Sequence, residues 1–317
     1  MKMFRLTFIL LLFAATCFSQ ESPLTLPGHT GNVNAIQFSP EGKYLLSGSQ
    51  DGTIRVWDVA TNFSCSKVLT VGSSSVKSIS FSTKGDEFLV SRYGDFISYR
   101  YPDFKKCATR KKAHTSFVES ANYSHNNLYI ITSSWRDNCL SLWKTGKLKK
   151  EKDFAEQSWT RPTIFLPDDK SIAAGNHENT IRIWNVETGN IERTLAGHTD
   201  WVECIFITND GKYLVSGSLD KTIRVWELSS GKLFKTIAAH EGGIVALSLS
   251  ADGKYFASSS LDKSIKLWDT VNFTEIKTLP TQDNVVLCLA FSQDGKYLAT
   301  AGMDKAIKIW KLSALIK

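Results

Sequence analysis

Cysteine is sparse in this chain. Six occur among 317 residues, and Cys65, Cys107, Cys139, Cys204 and Cys288 remain once the first twenty residues are set aside. An odd count without CxxC spacing argues against a disulfide framework and against a zinc site. Cys204 and Cys288 lie in apolar stretches and read as small core residues. Cys65 and Cys107 are predicted to fall at equivalent places in neighbouring units, on outer strands too far apart to bridge, so all five are predicted to be free thiols.

Other absences narrow the function further. No segment carries a long helical period, which leaves an all-β chain. There is no GxSxG elbow, phosphate-cradling glycine loop, HExxH pair or calcium loop, so no cofactor, metal or catalytic residue is predicted. The formal charge of +7 is too mild to point to nucleic acid. Hydrophobic residues at 42% and charged residues at 22% describe a folded chain with a sizeable core.

Residues 1–20 read as a secretory signal. Lys2 and Arg5 form a basic start, Leu6 to Ala15 an apolar stretch too short to span a membrane, and Ala14 to Cys17 with Ser19 supply cleavage sites. Thr16 and Ala14 fit a lipoprotein signal poorly, so export to the periplasm or medium is preferred over lipid anchoring through Cys17. The remaining 21–317 are predicted to form one domain.

What the chain has in abundance is one repeated phrase. GHTDWVECIFITNDGKYLVSGSLDKTIRVWE at 197–227 recurs in close variants at 28–58 and 239–269. A fixed period of about forty residues marks a modular array. Within one unit an alternating strand (Val33–Phe38) meets a turn such as Asn209-Asp210-Gly211-Lys212, where Asp-Gly supplies the positive φ a tight hairpin needs. Strands at Tyr213–Ser218, Thr222–Trp226 and Leu233–Ile237 complete a four-stranded antiparallel sheet. Trp57, Trp143, Trp184, Trp226, Trp268 and Trp310 mark six units, and the gap after Trp57 holds a seventh without its tryptophan.

The Gly-His pairs at 28–29 and 197–198 and the Trp-Asp pairs at 57–58 and 268–269 resemble the WD-repeat family. The resemblance implies a seven-bladed β-propeller with repeats at about 24–58, 67–101, 107–144, 150–185, 193–227, 235–269 and 277–311. It also implies a stagger in which the strand before the first Gly-His, Pro23–Leu26, joins the last blade and closes the ring.

His29, Ser47, Asp51 and Trp57 recur at equal offsets as His198, Ser216, Asp220 and Trp226, and again as His240, Ser258, Asp262 and Trp268. A nucleophilic triad needs one such set beside an oxyanion hole. Three copies read instead as structure, and the family resemblance implies a buried network with histidine between aspartate and serine. Repeat three keeps His114, Asp137 and Trp143, with Ser133 expected as the hydroxyl partner. Repeat seven has Gln282 in the histidine place, beside Thr300, Asp304 and Trp310. Repeat four retains only Trp184, with Ala174 and Glu178 in the other places, and repeat two loses nearly the whole set. Blades 2 and 4 are expected to be the least rigid. The innermost strands are expected to be mostly apolar, with Glu203 as an exception.

Three tryptophans are surplus to the repeat: Trp135, Trp159 and Trp201. Alignment brings Phe117, Trp135, Arg136, Trp159, Arg161, His177 and Trp201 onto one face of blades 3–5. Tryptophan and arginine are enriched where proteins bind one another. The reading is a monomeric, non-catalytic propeller that works within a complex by binding a protein partner there. The alternatives are a ligand or enzyme site in the central channel, or binding of a polyanion or envelope surface through two basic runs, Lys105, Lys106, Arg110, Lys111, Lys112 and Lys144, Lys147, Lys149, Lys150, Lys152.

Overall fold

Alternating side chains build the strands, and the ring then buries them twice over. In Tyr213–Ser218 every residue after the tyrosine is buried, because a strand in mid-blade has a neighbouring blade on each face. The outermost strand of the same blade, Leu233–Ala238, is largely exposed. The computed structural model, which describes residues 22–156 and 158–316, arranges seven such four-stranded antiparallel sheets in a ring. Innermost strands of consecutive blades pack side by side around the axis: Val33–Phe38, Ser78–Phe81, Val118–Tyr123, Thr160–Phe165, Val202–Ile207, Ile244–Leu249 and Val286–Phe291. Expected strand ends differ by one residue, Thr222–Glu227 and Leu233–Ala238 being the observed spans.

The ring closes as the stagger requires. Leu24–Leu26 pairs antiparallel with Ile307–Lys311, Leu24 opposite Ile309 and Leu26 opposite Ile307. Leu26 is buried with Trp57, Ile307 and Ile309, so the chain's first strand is held by core as well as by hydrogen bonds. Closure supplies the fourth strand of the last blade and covers the edge that Ile307–Lys311 would otherwise leave open. Seven apolar clusters, each between two neighbouring blades, form the core. Gly211 takes φ 69° in the turn between first and second strands, where its N–H donates to Thr208 O.

The missing tryptophan of blade 2 is replaced by Tyr99. It pairs with Phe88 as Trp226 pairs with Leu214, and stacks on that ring at 5.2 Å. All five cysteines of the described residues are free, Cys65 and Cys107 at the surface. No helix among the described residues is long and apolar enough to cross a membrane. The expected signal at 1–20, with Cys17, lies outside the described residues.

Candidate interaction site

The repeated polar sets lie beneath the surface on which the candidate site stands. In blade 1, Trp57 Nε1 donates to Ser47 Oγ at 2.9 Å, Ser47 Oγ lies 2.8 Å from His29 Nε2, and His29 Nδ1 lies 2.9 Å from Asp51 Oδ2. Blade 5 repeats these contacts through Trp226, Ser216, His198 and Asp220. Blade 6 does so through Trp268, Ser258 and His240, with Ser264 at 2.7 Å and Asp262 at 3.3 Å sharing the second imidazole nitrogen. Every donor in the set has an acceptor if the imidazole is neutral with its proton on Nδ1. Burial keeps it so, lowering the pKa of His29, His114 and His240 against the pull of their aspartates. Burial alone would raise the Asp51 carboxyl. Hydrogen bonds from the Thr53 hydroxyl, the Thr30 amide and His29 outweigh it and hold Asp51 at about 2. Ser47, Ser216 and Ser258 are fully buried, out of reach of any substrate.

Blade 3 corrects one expectation. The hydroxyl that receives Trp143 Nε1 and faces His114 Nε2 belongs to Thr132, not Ser133. Thr132 lies opposite Ser141, the register Ser216 takes opposite Arg224. Side chains alternate along a strand, so Ser133 points to the other face and donates to Arg161 O. The extra residue of this repeat sits further on, in the turn Trp135-Arg136-Asp137-Asn138, and lengthens the loop that presents Trp135 and Arg136.

Blades 2, 4 and 7 satisfy themselves differently. Glu156 stands in the histidine place of blade 4 and forms a buried ion pair with Arg182, which also reaches Glu178 at 2.7 Å. Gly72 and Val90 occupy the histidine and serine places of blade 2, and Arg92 bonds Asp95 and Val71 O beside them. In blade 7 Trp310 Nε1 reaches Thr300 at 3.1 Å, while Gln282 accepts from Lys308.

Above these networks the surplus aromatics form a continuous row. Trp135 comes from the turn after the second strand of blade 3, Trp159 from just before the first strand of blade 4, His177 from the turn of blade 4, and Trp201 from just before the first strand of blade 5. Trp135 and Trp159 meet edge to face at 5.4 Å, and Trp159 and His177 meet at 5.4 Å. His177 and Trp201 stack at 3.7 Å with planes 7° apart. The three indoles keep 37–38% of their surface exposed despite these contacts. Each such pair contributes about 0.5–1.5 kcal/mol beyond its area, which favours this arrangement of the rings. Arg136 lies over Trp135, 5.7 Å from the ring centroid. Phe117 pairs with Tyr93 of blade 2 at 5.0 Å, under Lys77 Nζ at 4.5 Å. Tyr93, 53% exposed, escaped the sequence reading because its repeat is the most degenerate.

Below the row, the innermost strands carry alternating charge. One equivalent position in successive blades holds Lys77, Glu119, Arg161 and Glu203, at intervals of 42 residues. Lys77 lies 3.3 Å from Glu119, Arg161 lies 3.8 Å from Glu119 and bonds Glu203 directly. Both carboxylate side chains are only 7% exposed, and a buried carboxylate needs such a partner. The expectation of mostly apolar innermost strands, with Glu203 as an exception, therefore gives way in blades 2–5 to a charged half-ring. Valine and leucine hold the same position in blades 6 and 7, as Val245 and Leu287. The 42-residue spacing was visible in the sequence; the alternation gains meaning only once the blades are neighbours.

The two basic runs separate. In the second run Lys150 pairs with Asp153 at 2.8 Å, Lys144 approaches Glu151 at 3.7 Å, and Lys152 bonds carbonyls of Val186 and Glu187. In the first, Arg110 lies over Trp143, whereas Lys105, Lys106, Lys111 and Lys112 are exposed.

A closed ring of four-stranded blades, locked by recurring Trp–Ser–His–Asp networks, defines a WD-type β-propeller. The chain belongs to the WD40 family: the model described as WD domain, G-beta repeat, matches residues 20–58, 105–144, 189–227, 231–269 and 273–311. It is similar to nuclear distribution protein nudF of Aspergillus niger, 28% identical over 205 residues that cover 57% of this chain and 46% of the fungal protein. Autophagy-related protein 16 of Arabidopsis thaliana is 28% identical over 187 residues, covering 57% of this chain and 36% of the plant protein. Target of rapamycin complex subunit LST8-1 of the same plant is 27% identical over 200 residues, 60% of this chain and 64% of the relative. The matched stretches thus span between about a third and two thirds of these relatives.

Proposed function

We propose that the chain is an exported, non-catalytic scaffold that receives a protein partner on the face built from the Gly-His and second-to-third-strand loops of blades 3–5. The observation that carries this reading is the exposed row Trp135–Trp159–His177–Trp201, assembled from three consecutive blades with its rings already in mutual contact. A preformed aromatic row loses little side-chain freedom on binding, which favours association. The name of one relative, a subunit of the target of rapamycin complex, is consistent with a role inside an assembly. Export rests on the basic start, apolar stretch and small residues of 1–20.

Affinity purification of the tagged full-length product from medium or periplasm tests both parts. A mature N-terminus near residue 21 and a stoichiometric partner are expected. Trp135→Ala with Trp201→Ala is expected to release that partner while the melting curve stays close to wild type. A partner retained by the double variant, or a product kept inside the cell with its first residues intact, would contradict the corresponding half of the reading.

A further inference from the structure

The charges around the aromatic row are asymmetric in a way the net charge hides. Lys111, Lys112 and Arg136 are exposed, and their ammonium and guanidinium groups meet no carboxylate among the described residues. They sit together because Asp137, next to Arg136, accepts from His114 Nδ1 at 2.8 Å and from the amide of Thr115 at 2.8 Å, tying the loop of Lys111 and Lys112 to the turn of Arg136. The carboxylates of this region are withdrawn. Asp137 is occupied by that loop, Asp95 by Arg92, Glu119 by Lys77, and Glu203 by Arg161; each of these four carboxylate side chains is at most 12% exposed. At the far end Glu178 is paired with Arg182 but keeps 42% of its side chain exposed, and Asp200 accepts from the Trp201 amide, so negative charge remains at the blade 4–5 end while the blade 3 end carries unpaired positive charge. What a partner meets is therefore a row of apolar rings flanked at the blade 3 end by free positive charge.

We infer that this face takes an acidic peptide segment of a protein partner, lying extended along the row with an aromatic or aliphatic side chain against Trp135, Trp159 and Trp201 and its carboxylates against Lys111, Lys112 and Arg136. This rests on the proposed role of the face and adds the chemistry of what it holds. Edge-to-face packing leaves indole faces open between neighbouring rings, and such faces take apolar side chains. Steps of 5.4, 5.4 and 3.7 Å between ring centroids match about four residues of extended chain at roughly 3.3 Å each. The guanidinium of Arg136 is held by the ring beneath it, poised for a bidentate carboxylate. Exposed charge of this kind steers encounter over roughly 8 Å at physiological salt and weakens as salt rises.

A random-peptide display library selected on the immobilised full-length chain supplies the probe, followed by titration of the enriched peptides, fluorescently labelled and read by anisotropy so that the signal does not depend on the tryptophans. The expected sequences carry aspartate or glutamate beside an aromatic or leucine. Joint reversal by Lys111→Glu, Lys112→Glu and Arg136→Glu, all exposed positions, is expected to weaken them about tenfold or more and to flatten their salt dependence. Trp135→Ala with Trp201→Ala is expected to abolish binding. Enrichment of neutral or basic sequences that still need the tryptophans would overturn the acidic assignment and leave the face standing. Enriched peptides indifferent to the tryptophans would overturn the face itself. Acidic sequences with no apolar residue, unaffected by the tryptophan variant but lost on charge reversal, would make this a polyanion surface and overturn the inference, as would no enrichment at all.

Discussion

The imidazole of His177 lies flat on the indole of Trp201, 3.7 Å between ring centroids, and joins the second-to-third-strand turn of blade 4 to the start of blade 5. Its Nε2 is 3.9 Å from Glu203, and its Nδ1 is buried without a partner. Burial lowers the His177 pKa, Arg161 lowers it further, and Glu203 opposes both. The neutral ring is therefore the folded form. Its contribution to stability is complete above the ordinary value of 6.5 and is lost as pH falls through the lowered folded value. The Cε1 proton of His177, followed by NMR, is expected to titrate below pH 6.5; a midpoint at or above that value would show that the stack does not exclude the charged ring.

The network histidines add to the same pH dependence. His29, His114 and His240 are all lowered by burial, so the unfolded chain binds protons that the folded chain refuses. Stability should be flat above about pH 7 and should decline as pH falls below the ordinary histidine value. A second decline follows below pH 3.8, toward the value of about 2 at which Asp51 and Asp262 are held. Urea midpoints from pH 8 to 3 test the order of these steps. A midpoint that rises between pH 7 and 5 would reverse the sign argued here.

Thr132→Val keeps the shape of the side chain and removes the hydroxyl between Trp143 and His114. Two buried polar groups lose their partner, which costs about 1–3 kcal/mol. Ser133→Ala breaks only the bonds to Arg161 O and Ser120 and should leave the near-ultraviolet signal of Trp143 unchanged. The reverse ranking would restore Ser133 to the network.

Deletion of residues 22–27 removes the strand that pairs with Ile307–Lys311 and exposes a blade edge together with the cluster around Leu26. A sharp drop in melting temperature is expected. Leu26→Ala alone should cost about 2–5 kcal/mol, as for other buried leucines. An unchanged melt for the deletion would mean that the first strand does not hold the ring shut.

Hydrogen exchange should rank the blades by how completely their buried polar groups are tied. Blade 2, with Gly72 and Val90 in place of histidine and serine, is expected to exchange fastest. Blade 4, where Glu156 and Arg182 supply a substitute pair, should follow, ahead of blades 1, 5 and 6. Greatest protection in blade 2 would sever the link between network and rigidity.

Blade number, turn positions and the Trp–Ser–His–Asp sets were legible in the sequence because each is local. Alternation, an Asp-Gly turn and a polar set recur within about forty residues, and comparing copies averages out the accidents of any one. Repeat three shows the limit. A single extra residue makes the offset from Trp143 point to Ser133 and the offset from His114 to Thr132, and only strand pairing, which puts one hydroxyl on each face, shows that Thr132 is the partner. The aromatic row was legible as a set of residues on one face. Which rings touch was not, because Trp135, Trp159, His177 and Trp201 belong to three repeats whose approach depends on how each blade packs on the next. The same holds for Lys77, Glu119, Arg161 and Glu203. Sequence alone determined that they occur at one position of four repeats; the packing of consecutive blades decided that opposite charges meet, since only neighbouring blades bring them within 4 Å, and a carboxylate withdrawn from water needs a cation or hydrogen-bond donors beside it.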